Sequence, residues 1–141
     1  MAQTFEKQSI GLEAAQKAAA VAVGEAAKLG LCVTVAVCDE SGILKAMCRM
    51  DGAALITVQS AQDKAYTAAG FGLATIKWYP RIKDEPAVLN GLVPSIDRMI
   101  IYGGGVPIKV DNVVVGAVGV GGGSHKQDDE IATKAVGAIS A

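Results

Sequence analysis

Residues 106–120 read VPIKVDNVVVGAVGV: two valine-dense runs, 106–110 and 113–120, separated by Asp111 and Asn112. Runs rich in β-branched residues favour strands, and a short polar pair between them favours a tight turn, so the stretch reads as an antiparallel hairpin. Just upstream, Met99-Ile100-Ile101-Tyr102 reads as a short strand and Gly103-Gly104-Gly105 as a backbone-only corner, which makes a three-strand meander. Downstream, Gly121-Gly122-Gly123 leaves the last strand and Ser124 opens a helix. Ser124 and Gln127 fit the S-x-x-Q capping box, and Asp128, Asp129 and Glu130 suit the positive end of the helix dipole.

The remaining elements follow toward the N-terminus. Across residues 57–75, Val58, Ala61, Ala65, Ala68, Ala69 and Leu73 recur at helical spacing, and Trp78-Tyr79-Pro80 is expected to end that helix. Residues 81–94 are proline-rich and read as loop with short helical turns. Residues 31–38 and 43–50 flank Asp39-Glu40-Ser41-Gly42 and form a second hairpin. In its first strand Val33, Val35 and Val37 share one face and Cys32, Thr34, Ala36 and Cys38 the other. Both faces are largely apolar, so the sheet is expected to be covered on both sides. Residues 10–29 form an Ala-rich helix with Ser9 as cap and Gly30 as stop. This helix is apolar almost all round and is expected to lie between the sheet and a neighbouring subunit. The order predicts an α+β sandwich: one antiparallel sheet of about five strands covered by helices, in a single domain spanning 1–141.

Composition narrows the function. The chain has 141 residues, 51% hydrophobic and 19% charged, which excludes disorder. Thirteen Lys+Arg against 14 Asp+Glu give a net charge of −1, so there is no basic footprint for nucleic acid or an anionic membrane. The longest uncharged stretch, residues 112–125, is too short and too glycine-rich for the ~20 apolar residues of a membrane span. Residues 1–6 lack the basic start and apolar core of a secretory signal. Cys32, Cys38 and Cys48 are odd in number and form no C-x-x-C pair, so they read as reduced, buried thiols of a cytoplasmic protein. Positive mean hydropathy on so small a chain favours a homo-oligomer, since one subunit has more apolar surface than it can cover.

The glycines invite a nucleotide reading, which fails. Residues 116–126, GAVGVGGGSHK, lack the phosphate-loop spacing, and no G-x-G-x-x-G occurs. What remains is a glycine-rich strand exit facing a helix start, whose free N–H groups suit an anion. His125, the one imidazole, sits in the first turn of that helix, where the dipole favours the neutral ring as a base or a metal or haem ligand. Arg49, Asp51, Asp63 and Lys64 are charges beside apolar segments and are expected to converge near one end of the sheet, as an ion-pair network or a site. Asp97 and Arg98 read as solvated turn residues. Serine hydrolysis finds no G-x-S-x-G.

Four segments in order, VAVCDESGILKAMCRMDGA at 35–53, DKAYTAA at 63–69, GGVPIKVDNVVVGAVGVGGG at 104–123 and KQDDEIA at 126–132, resemble the GlcG/HbpS-like family, also seen as the C-terminal domain of PduO-type proteins. The resemblance covers nearly the whole chain. It implies a profilin-like fold, homo-oligomers and, for some members, haem binding or haem degradation. The chain departs from the family in two places. Gly121-Gly122-Gly123 stands where a Ser-Gly-Gly is common, and no His precedes His125, although some members are held to ligate haem through a His near the N-terminus. That leaves His125 as the candidate haem ligand, with Cys32, Cys38, Met47, Cys48 and Tyr102 as unranked alternatives.

Three readings follow. The first is a cytoplasmic, oligomeric haem-binding protein, with haem degradation as its enzymatic extension. The second is an enzyme or binder for a short carboxylate or carbonyl compound of a catabolic pathway. In it Lys64 and Arg49 hold the anion, and Gly104, Gly105, Gly122, Gly123 and Ser124 complete the ligand-binding set. Asp51, Lys64 and His125 are then the candidate catalytic residues, Asp51 or His125 moving a proton. The third is a non-catalytic assembly or regulatory partner.

Overall fold

The computed structural model describes residues 1–139. The 106–120 hairpin is present as β3 (Gly105–Val110) and β4 (Val113–Gly121), closed where Val110 faces Val113. Asp111 and Asn112 both have positive φ, 50° and 65°, the mirror-image turn whose twist matches that of the paired strands. The free edge of β4 pairs antiparallel with β1 (Thr34–Asp39), which in turn pairs with β2 (Leu44–Arg49), giving the order β2-β1-β4-β3. In the β1–β2 turn the Asp39 carboxylate accepts the Ser41 and Ile43 N–H groups at 2.9 and 3.0 Å, and Gly42 supplies a φ of 79°.

The sheet has four strands, one fewer than expected, because residues 99–102 are not a strand. Their backbone groups are taken elsewhere. The Ile100 N–H donates to Thr67 Oγ1 at 3.0 Å, and the Ile101 carbonyl accepts the Tyr79 N–H at 3.3 Å. A segment whose polar groups are already satisfied has nothing left to offer a ladder.

Both faces of the central strands are covered, as their double apolar pattern implied. Val33, Val35, Val37, Val118 and Val120 pack against α1 (Leu12–Lys28) and α5 (His125–Ile139) through Ala15, Ala18, Ala22, Ile131 and Ala135. On the other face Cys38 and Ala117 meet Ala65, Ala68 and Ala69 of α2 (Ile56–Phe71). At Gly119 a β-carbon would collide with the Ala61 carbonyl, so this glycine lets α2 lie directly on the sheet.

The helix ends differ from expectation in two places. The first turn of α1 begins after Gly11 rather than at Ser9, because the Ile10 N–H is still tied to the Val115 carbonyl at 3.0 Å. Its C-terminus is as read: Gly30 at φ 70° donates to Ala27, and Leu31 to Ala26, a Schellman pair. The second helix stops at Gly72, whose φ of 65° turns its N–H onto the Ala68 carbonyl. Trp78-Tyr79-Pro80 therefore opens a separate short helix, α3 (Trp78–Ile82), with the proline in a first turn that needs no donor from it. Short turns follow, including α4 (Val93–Ser95). The capping box of α5 is closed both ways: Gln127 N–H to Ser124 Oγ at 3.2 Å and Ser124 N–H to Gln127 Oε1 at 2.9 Å.

Only one of the three thiols is buried as expected. Cys38 lies under α2, where burial pushes its pKa up to about 12, while Cys32 and Cys48 are exposed. Among the described residues no helix is long and apolar enough to cross a membrane.

Candidate functional site

The sheet end where β4 runs out collects most of the singled-out residues. Lys64, at the middle of α2, reaches to the end of β4 and donates to the Val120 carbonyl at 2.9 Å and to Asp128 Oδ2 at 3.0 Å. Both side chains are almost wholly buried, at 3% and 2% exposure. The other oxygen of Asp128 accepts the Gly123 N–H at 2.8 Å. The glycine corner makes room for this bridge. A β-carbon at Gly104, where φ is 131°, would sit 2.8 Å from Lys64 Nζ and 2.5 Å from the Val120 carbonyl oxygen. One at Gly105 would strike the Lys64 carbonyl, and one at Gly122, at φ 137°, would meet the Cys32 carbonyl oxygen at 2.6 Å. Tyr102 lies over the ammonium with its ring centroid 5.3 Å away.

The expected anion at the strand exit is thus present, and it belongs to the chain. Lys64 and Gly123, read as holding a ligand carboxylate, are occupied by Asp128. An ammonium and a carboxylate with these contacts compensate each other's lost hydration. In the sequence Asp128 reads only as an acid that suits the helix dipole. Its spacing carried a stronger signal, because Asp128 stands three, four and seven residues before Ile131, Ala132 and Ala135, on the buried stripe of α5. A carboxylate on an apolar stripe calls for a buried partner.

His125 lies beside this bridge, exposed at the helix start. Its Nδ1 accepts the Gly103 N–H at 3.1 Å, which places the hydrogen of the neutral ring on Nε2. One turn on, Asp129 has a buried oxygen, Oδ1, without a hydrogen-bond partner among the described residues, and burial raises its pKa against the opposing pull of Lys77 and His125.

The four charges expected to converge do not form a network. Asp63 pairs with Arg98 at 2.9 Å and Lys64 with Asp128. Arg49, opposite Thr34 at the end of β2, and Asp51, in the turn beyond it, are exposed and make no ion pair with Asp63 or Lys64. Arg98 is not a solvated turn residue: it has a φ of 66°, lies 4.1 Å over the Tyr66 ring and is half-buried. No group of three or more His, Cys, Asp or Glu side chains among the described residues is arranged to hold a metal ion.

A helix-covered antiparallel sheet with a glycine-lined strand exit defines a small α+β domain whose chemistry gathers at one end. The chain belongs to the HbpS-like family, described as haem degrading protein HbpS-like, whose model matches residues 10–137. It is 37% identical to protein GlcG of Escherichia coli K12 over 118 residues, 81% of this chain and 84% of that protein. Its fold matches a double mutant of HbpS from Streptomyces reticuli with a TM-score of 0.87 at 31% identity, covering 99% of this chain and 92% of the other. The PduOC:haem complex matches with a TM-score of 0.85 at 29% identity, over 92% of this chain and 94% of the other.

Proposed function

We propose that the protein binds haem, with the face around His125 as the docking surface. The observation that carries the reading is the close match over nearly the whole chain to a domain solved as a haem complex. The residues here suit such a ligand. Haem is an apolar plate with two carboxylates and an open axial position, and this face offers an exposed imidazole, the exposed rings of Tyr79 and Tyr102, and cations in Lys77 and Lys126. Tyr79 and Tyr102 are brought together because the Tyr79 N–H bonds to Ile101. Ligation through Nε2 requires the ring hydrogen to move to Nδ1 and the Gly103 bond to break, at a cost of about 1–3 kcal/mol for the buried N–H left unpaired. A short carboxylate held by Lys64, Arg49 and the strand-exit N–H groups would instead have to displace Asp128, which disfavours that reading.

The proposal includes a cytoplasmic homo-oligomer. The exposed Phe5, Leu55 and Ile56 side chains support self-association, and light scattering behind size exclusion measures it. Haem binding is tested by titrating the protein with haemin and following the Soret band, for the wild type and His125→Ala. A saturable shift weakened tenfold or more in the variant is expected. An equal shift in both removes His125 as ligand, and no saturable shift ends the haem reading. Loss of the Soret band under reductant and oxygen would add degradation, and a stable band would confine the activity to binding.

A further inference from the structure

A half-open hollow of about 170 Å³ lies between the β1–β2 turn and α2, on the opposite side of α2 from the contacts of Lys64. Its floor is Ala36, Cys38 and Ala65, Leu44 forms one wall, and Gln62 and Arg98 stand at the rim. We propose that this hollow is a binding site for a small monocarboxylate with a compact apolar body, held by the guanidinium of Arg98.

Arg98 has a β-carbon and adopts φ 66°, a conformation that costs an ordinary residue about 1–2 kcal/mol and persists where its surroundings dictate it. Here they do. Thr67 Oγ1 donates to the Arg98 carbonyl at 2.9 Å, Nε donates to Asp63 Oδ1 at 2.9 Å, and the guanidinium lies 4.1 Å over Tyr66. Asp63 is fixed in turn by Gln59, which donates to the same oxygen at 2.7 Å. The arginine is therefore held before any ligand arrives, so little side-chain freedom remains to be lost on binding.

These restraints use one donor. Nη1 and Nη2 make no hydrogen bond within the described residues, so the end-on fork is open. Two parallel N–H donors match the two oxygens of a carboxylate, a geometry that lysine cannot reproduce. Asp63 cancels part of the local positive charge, and this selects a monoanion over a phosphate or polycarboxylate. Ala36, Cys38, Leu44 and Ala65 give the body of the ligand apolar contact, and a volume of about 170 Å³ is of the order that accommodates a benzene ring. The Gln62 amide donates to the Val58 carbonyl at 2.9 Å, leaving its oxygen as an acceptor at the rim.

The test is ligand-observed NMR and calorimetry with sodium benzoate and sodium butyrate as probes and benzamide as the neutral isostere, at constant ionic strength. Saturable benzoate binding with no comparable benzamide binding is expected. Arg98→Lys keeps the charge but loses the fork and should weaken benzoate by about tenfold or more. Leu44→Trp fills the hollow from a half-exposed edge position, leaves Arg98 in place and should abolish binding. It also keeps the test decisive if the arginine variant fails to fold. No saturable binding by the wild type at tens of millimolar, benzamide binding as well as benzoate, or benzoate binding that survives Leu44→Trp would each overturn the proposal.

Discussion

Lys64→Met separates a structural bridge from a ligand-binding lysine. Methionine keeps most of the alkyl volume, so the cavity penalty is small, and what is lost is electrostatic. The Asp128 carboxylate, 2% exposed, stays at its post with the Gly123 N–H as its remaining partner, and the Val120 carbonyl loses a donor. Leaving one member of a buried pair uncompensated costs about 3–5 kcal/mol. For a chain of this size that corresponds to a fall in Tm of roughly 6–20 °C. In Lys64→Met/Asp128→Asn the asparagine oxygen can still accept from Gly123, so the double variant should lose at least about 1–2 kcal/mol less than the sum of the singles. Urea denaturation of the four proteins, with equal m-values as the condition for comparison, gives the coupling directly. A cost below about 1 kcal/mol for Lys64→Met, in the range of exposed pairs, would refute the view that this bridge holds the sheet end together.

Three further outcomes are expected. A thiol reagent at pH 8 should modify the exposed Cys32 and Cys48 in the folded protein and reach Cys38, with its pKa of about 12, only on unfolding; mass spectrometry counts the adducts. Asn112→Val, which forces a β-branched residue to φ 65°, should destabilise by about 1–2 kcal/mol in urea, whereas Asn112→Gly is accommodated. Because burial raises the Asp129 pKa from its ordinary 3.8, the folded state binds that proton more tightly, and stability falls as pH rises from about 3.8 through the elevated value. Asp129→Asn should accordingly be the more stable protein at neutral pH, with the gap closing in acid; thermal melts across pH measure it.

Elements governed by local chemistry were legible in the sequence. The 106–120 hairpin, Gly30 as a helix stop and the Ser124/Gln127 box each depend on residues within a few positions of one another, and each is present. Residues 99–102 mislead because their apolar character fits a strand, whereas their long-range hydrogen-bond partners lie on Thr67 and Tyr79, far away in the chain. The same distance hid the site. Lys64 stands out in the sequence as a charge beside an apolar segment, but the partner that occupies it stands 64 positions away. Arg98 looked like a turn residue because nothing nearby in sequence reveals that Asp63 and Tyr66, on α2, draw it inward.

The bridge between Lys64 and Asp128 also bears on the order of folding. Its two halves ride on helices that cover opposite faces of the sheet, and it closes around the end of β4. No fragment containing one layer can form it, and a loop of 64 residues must close first. Such a contact belongs after the rate-limiting step, so weakening it should accelerate unfolding while leaving the refolding rate nearly untouched. The latch at this sheet end would then set how long a folded molecule stays folded more than how quickly it gets there.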